Sequence, residues 1–274
     1  MSPSEQLAET TVKLGGVEMN VAQGGRGSPV LVLHRDTGRH GWTAFHQALA
    51  RRRRVVAPSL PGYDLSAPVP WARSVHDLAA FAGRLIDELE LDGCAVVGLG
   101  FGGWIAAEVA LARGGRLSAL VLQSPMGVRP EAGEYADQFL ISGEHYVRLG
   151  YGRPEAFAAD FGETVDPGVL RQWDHNRETT CRVAWKPYLF NVTAAHLLPL
   201  IATPTLVVQC GRDTIVPPAV AEQYARLIPG ARLERLDQAA HRVDQEDPET
   251  FAALVDQFIA RRSHGAADAL QGAR

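Results

Sequence analysis

A chain of 274 residues with 46% apolar and 21% charged side chains has the balance of a globular protein, which excludes a disordered or membrane-embedded body. Its formal charge of -4 leaves no basic excess to neutralise phosphates, so nucleic acid is not expected as a partner. No apolar run reaches the roughly 18 to 20 residues of a membrane span, Met1 to Gln6 lacks the basic and apolar pattern of a signal, and a cytoplasmic location is expected.

Thr11 to Leu14 and Val17 to Ala22 flank Gly15-Gly16 and read as a β-hairpin. Val30 to Leu33 is continuously apolar, the pattern of a strand buried on both faces. The loop His34-Arg35-Asp36-Thr37-Gly38 follows, and Trp42, Phe45, His46 and Leu49 then recur at helical spacing. Arg51 to Arg54 closes that helix as a solvated basic end. Val55 to Ala57 is another buried strand, stopped by Pro58 and Pro61-Gly62, and Ser74 is placed to cap a helix carrying Leu78, Phe81, Leu85 and Leu89. The apolar run from Cys94 breaks at Gly98, Gly100, Gly102 and Gly103 and resumes as a helix through Trp104. Leu117 to Leu122 is the next strand.

From Met126 to Leu198 only helical patterns occur, interrupted by glycines and prolines. Alternation resumes with a strand over Thr205 to Gln209, a helix over Pro218 to Leu227, a strand over Arg232 to Leu236 and a helix over Glu246 to Arg261. The Gly- and Ala-rich tail, 263–274, is expected to be flexible. Strand and helix in alternation predict a mainly parallel sheet with helices on both faces and right-handed crossovers. Cys94, Cys181 and Cys210 are odd in number and widely spaced, which suits a reducing compartment, and no grouping has metal-ligand spacing.

The glycine corner admits two readings. Gly98, Gly100 and Gly103 fit G-x-G-x-x-G, which brings a dinucleotide pyrophosphate to a helix N-terminus, while Gly98-Leu99-Gly100-Phe101-Gly102 fits the G-x-S-x-G nucleophile elbow with Gly100 in the serine position. The first requires the turn after the first strand and an acidic residue about 20 positions on. Here several strands come earlier and the next strand ends in Gln123-Ser124, so the elbow reading prevails.

Together with four further segments in the same order, the corner resembles that of the α/β-hydrolase superfamily, over nearly the whole chain. His34 to Gly38 stands where that family has its oxyanion loop. Pro61-Gly62-Tyr63-Asp64-Leu65-Ser66 is similar to its P-G-x-G-x-S turn, with Asp64 for the second glycine. Gly211 to Pro217 and Ala240 to Glu249 resemble its acid and histidine segments. The resemblance implies an α/β fold with a mainly parallel eight-stranded twisted sheet and helices on both faces. Residues 1–125 and 199–262 would form its core, and 126–198 a helical lid inserted after the sixth strand.

It also implies that His241 is the catalytic base and Asp213 its orienting carboxylate, with Asp237 a weaker candidate for the acid. Gly100 cannot attack a carbonyl, and Leu99, Phe101, Cys94, Ser124 and Cys210 offer no obvious substitute. Where the family loop begins His-Gly, this chain has His34-Arg35-Asp36, so both sides of one site depart from the pattern. The expected site is a His-Asp dyad beside a vacant place that takes water or a substrate oxygen. His34, Arg35 and the Phe101 amide lie on its oxyanion side, or Arg35 and Asp36 pair with each other. Trp185, Arg177, Arg182 and Tyr188 are candidate lining from the lid.

The function expected is an α/β-hydrolase-like enzyme that uses the dyad as general base on a small ester or carbonyl compound. A non-catalytic ligand-binding member, and a serine esterase or carbon–carbon bond hydrolase with its nucleophile replaced, are the rival readings. No cofactor or metal is expected; the partner is a small molecule, and a homo-oligomer is left open.

Overall fold

The computed structural model describes residues 7–271. The elements run β1 (Ala8–Leu14), β2 (Val17–Gly24), β3 (Pro29–Leu33), α1 (Ala44–Ala50), β4 (Arg54–Pro58), α2 (Val75–Glu88), β5 (Ala95–Leu99), α3 (Phe101–Arg113) and β6 (Ala119–Gln123). Then come α4 (Gly143–Leu149), α5 (Pro154–Phe161), α6 (Pro167–Ala184) and α7 (Ala194–Leu197), all helical. The core resumes with β7 (Thr205–Cys210), α8 (Pro218–Leu227), β8 (Arg232–Leu236), α9 (Val243–Glu246) and α10 (Pro248–Gln271). The last helix therefore passes residue 261, where the sequence pattern ends it; the tail expected to be flexible lies in this helix as far as Gln271, and 272–274 are outside the described residues.

One sheet of eight strands has the order β1-β2-β4-β3-β5-β6-β7-β8. β1 pairs antiparallel with β2 and β2 with β4, and every later pair is parallel. After β3 the chain steps outward to β4 and then crosses back to place β5 on the other side of β3. This reversal opens a crevice at the carboxyl ends of β3 and β5, the place where open α/β sheets bind ligands. In register Leu33 lies beside Gly98, so the loop after β3 and the glycine corner after β5 face each other.

Strand side chains alternate between two apolar layers, as the period of two requires. Leu31, Leu33 and Val96 pack with α2 and α3, whereas Val30, Val32, Val97 and Leu99 pack with Phe45 of α1 and Phe251, Val255 and Phe258 of α10. Val147, Phe157, Val165 and Trp173 form a separate small core among α4 to α6. Ser74 caps α2 as expected, accepting from the Asp77 amide at 3.3 Å.

The basic end of α1 is solvated at Arg51 and Arg52, whose side chains are 53% and 68% exposed, but not at Arg53. Arg53 is buried and donates to Asp256 at 2.6 Å, Arg52 pairs with Asp256 at 3.0 Å, and Arg51 makes a bidentate pair with Glu249. The carboxylates come from α10, some 200 residues away, and lock α1 to it.

α1 begins with a pH-sensitive contact. His46 is buried and its Nδ1 accepts from the Thr43 amide at 3.1 Å, a bond that the imidazolium cannot accept. Burial lowers its pKa from 6.5 to about 4. The unfolded chain therefore binds a proton between these values that the fold excludes, so this contribution is full above pH 6.5 and declines as pH falls toward 4. His46→Gln is expected to flatten the loss of urea midpoint between pH 7 and 4.5; an unchanged slope would contradict the assignment.

Candidate active site

The corner is built by close approach. At Gly98, the last β5 residue facing α3, a Cβ would overlap the Gly102 carbonyl and the Gly103 Cα, so strand and helix meet this closely only with glycine. Gly100 has φ 55° and ψ -112°, a region that L residues rarely enter. Its amide donates to the Gln123 carbonyl at 2.9 Å, and its own carbonyl accepts from the Gly103 and Met126 amides at 2.9 and 3.1 Å. The elbow conformation is thus fixed by β6 and by the first turn of α3, with no side chain needed.

A Cβ placed on Gly100 would lie 2.9 Å from His241 Nε2 and 3.1 Å from its Cε1, so a side chain there requires the ring to shift. The place expected to be vacant is therefore bordered closely by the imidazole, which would have to give by a few tenths of an ångström to admit a side chain. His241 follows β8 in a loop and is 2% exposed. Its Nδ1 lies 2.8 Å from Asp213 Oδ2, and Asp213 Oδ1 accepts from the Ile215 and Val216 amides at 2.8 Å each. Burial alone would raise the Asp213 pKa, but His241, the Val216 amide and Ser124 outweigh it and hold the carboxyl below its usual range. An ionised Asp213 only accepts, so Nδ1 carries a proton, and in the neutral imidazole Nε2 then presents a lone pair. That Nε2 is buried and has no hydrogen-bond partner among the described residues. Asp237 is exposed and takes no part in the pair.

The residues expected on the oxyanion side are put to separate uses. His34 is spent on structure: Nδ1 donates to the Arg35 carbonyl at 2.6 Å, and Nε2 accepts from the Leu60 amide at 3.0 Å. Burial lowers its pKa, which keeps the neutral form that both bonds require. Arg35 turns beneath His241, where Nη2 donates to the His241 carbonyl and to Gln123 Oε1 at 2.7 Å each and lies 2.7 Å from Asp244 Oδ1. Asp36 does not pair with Arg35; Oδ2 accepts from Tyr146 Oη at 2.7 Å and Gln138 Nε2 at 3.2 Å. Phe101 packs its buried ring edge-on to Trp104, and its amide opens α3, where the first turn has no intrahelical acceptor.

Residues 30–254 match the model of the alpha/beta hydrolase family. The chain belongs to that family. Polyketide synthase ThaQ of Burkholderia thailandensis is 33% identical to this alpha/beta hydrolase over 89% of the chain, which spans only 12% of the synthase. 2-Hydroxy-6-oxo-2,4-heptadienoate hydrolase of Pseudomonas putida is 26% identical over 91% of the chain and 95% of its own length. In structure, a serine hydrolase involved in carbazole degradation superposes with a TM-score of 0.74 at 23% identity, covering 93% of this chain and 99% of that one.

In this alpha/beta hydrolase the helices between β6 and β7 reach the site through residues that sequence reasoning missed. Asn176 Nδ2 donates to the Thr37 carbonyl at 2.8 Å and Thr180 Oγ1 to the Asp36 carbonyl at 3.0 Å. Asp64, with φ 51° in the turn after β4, accepts from the Arg39 amide, Ser59 and Asn176, tying loop, turn and α6 together. The residues singled out from that segment are otherwise engaged. Arg177 pairs with Asp174 at 3.0 Å and donates to the Ile141 carbonyl, and Arg182 pairs with Glu178 at 3.2 Å. Trp185 is 53% exposed and stacks edge-on to Phe139. Tyr188 Oη donates to the Ala136 carbonyl and accepts from the Gln138 amide, which places Gln138 against Asp36. Among the described residues no three His, Cys, Asp or Glu side chains are grouped as metal ligands, and no helix is long and apolar enough to cross a membrane.

Proposed function

We propose that this chain is a hydrolase that works without a covalent intermediate, with His241 as general base and Asp213 as its orienting carboxylate. The observation that carries this reading is the buried, unpartnered Nε2 lone pair aimed at the Gly100 corner. A water or an acidic C–H brought there gives its proton to Nε2, and Asp213 stabilises the imidazolium that forms. The Phe101 amide at the positive end of α3 faces the oxygen on which charge develops.

The substrate is a small, partly apolar ester or carbonyl compound, enclosed by residues 126–198 acting as a lid over the core. Bonds from Asn176 and Thr180 to the oxyanion loop support that enclosure. The relative named for hydrolysis of 2-hydroxy-6-oxo-2,4-heptadienoate points to a carbon chain that bears an oxo group. The free, buried thiols of Cys94 and Cys210 suit the reducing cytoplasm.

The test is a panel of small esters and oxo compounds that includes 2-hydroxy-6-oxo-2,4-heptadienoate. Intact-mass measurement during steady turnover is expected to find only unmodified protein. An acyl adduct on the chain would overturn the reading. The dense packing of His241 also favours a second reading, ligand binding without turnover; under it the panel gives binding isotherms and no product.

A further inference from the structure

Gly100 and Arg35 depart from the family pattern at positions 65 residues apart, and in the folded chain they meet. The Cγ of Arg35 lies 3.4 Å from where a Gly100 Cβ would stand, and together with the His241 ring it borders that position. Farther out, its guanidinium holds the His241 carbonyl at 2.7 Å, and Gln123 Nε2 donates to the same carbonyl at 3.1 Å. Arg35 also bonds Gln123 Oε1, so the two donors brace each other. Asp244, three residues beyond His241, lies 2.7 Å from the same guanidinium, and both side chains are 4% exposed.

We propose that Arg35 is a positioning residue for His241 and that Gly100 and Arg35 form one matched replacement. In the template reaction the imidazole is located at both ends, by its carboxylate and by the serine hydroxyl. Here Nε2 has lost the second anchor. Arg35 supplies another through the backbone: by gripping the His241 carbonyl and the Asp244 carboxylate it holds the loop forward over Gly100. The glycine makes the room and the arginine keeps the ring in it. A serine restored at position 100 then meets a ring that the clamp does not let retreat. The inference rests on His241 being the base, yet it is tested with a different reaction, so the two fail separately.

Four proteins decide it: wild type, Gly100→Ser, Arg35→Gly/Asp244→Asn, and the triple variant that joins them. Arg35 and Asp244 are changed together so that neither charge is left buried alone. The probe is 4-nitrophenyl acetate. With a working serine, Oγ bonds to the acetyl carbon, its proton passes to His241 Nε2 and 4-nitrophenolate leaves; water then releases acetate and returns the hydroxyl proton. The gain from introducing the serine is expected to be at least 100-fold larger without the Arg35–Asp244 pair than with it, and a burst of 4-nitrophenolate is expected only in the triple variant. Equal gains in both backgrounds, or a folded triple variant no faster than Gly100→Ser, would overturn the proposal. Should the triple variant fail to fold, the Nδ1–H proton resonance of His241 gives the answer in Arg35→Met/Asp244→Asn. Broadening relative to wild type, at an unchanged unfolding midpoint, is expected; a signal as sharp as in wild type overturns the proposal.

Discussion

Asp213→Asn is expected to lower turnover by about 10² to 10⁴, the range of general-base assistance, while leaving the fold intact. The reason lies in the other oxygen of the carboxylate. Asp213 Oδ1 accepts two backbone amides, from Ile215 and Val216, and an asparagine keeps its carbonyl oxygen there because the amide nitrogen cannot accept. Its NH2 group then faces His241 Nδ1, which must become the acceptor, and the ring proton moves to Nε2. The base loses the lone pair that faces Gly100 although no atom has moved far. In the Ser-His-Asp template the corresponding exchange costs about 10⁴ by the same inversion of tautomer. Histidine ring NMR checks it directly: wild type should show the Nδ1–H form and Asp213→Asn the Nε2–H form. Equal turnover in the two proteins would remove Asp213 from its assigned role.

Arg35→Met should cost about 3 to 5 kcal/mol of stability, because it strips a buried carboxylate of its partner. Burial alone would raise the pKa of Asp244, and Arg35, with Arg242 and His46, more than offsets this and holds it below its usual value. In wild type that contribution is present above the unfolded carboxylate value, near 3.8, and is lost as pH falls through the lower folded value. Without Arg35 the Asp244 pKa rises, so the deficit of the variant should shrink as pH falls toward 5. Adding Asp244→Asn should recover most of the loss at pH 7. A urea midpoint for Arg35→Met within about 1 kcal/mol of wild type would show that the pair is no more than a weakly coupled surface-type bridge.

Much of this molecule is readable from local patterns. Continuous apolar strands, the Ser74 cap and the helix over 218–227 depend on near neighbours, and the structure has them where the sequence puts them. Gly98 to Gly102 marks the elbow because close backbone approach is imposed within five residues. Asp213 and His241 are readable as the ends of successive β units, and the fold brings them to 2.8 Å. What sequence alone cannot supply is the use made of polar side chains across long separations. Arg35 finds Gln123 at a separation of 88 and the His241 carbonyl at 206, and no periodicity encodes such a meeting. His34 looks like a site residue, yet its two nitrogens are taken by the Arg35 carbonyl and the Leu60 amide. Arg53 looks solvated because its carboxylate partner, Asp256, lies in α10. The tightness of the Gly100 position is not legible either, because the His241 ring that borders it comes from 141 residues further along the chain.

With no serine at position 100 to activate, the proposed chemical agent is the imidazole of His241 itself. The direct measurement is kcat for His241→Ala against wild type on whichever compound of the ester and oxo panel wild type turns over, with unfolding midpoints matched. A fall of about 10² to 10⁴ with KM changed by less than about threefold is the predicted result. A variant that keeps the wild-type kcat would contradict the account.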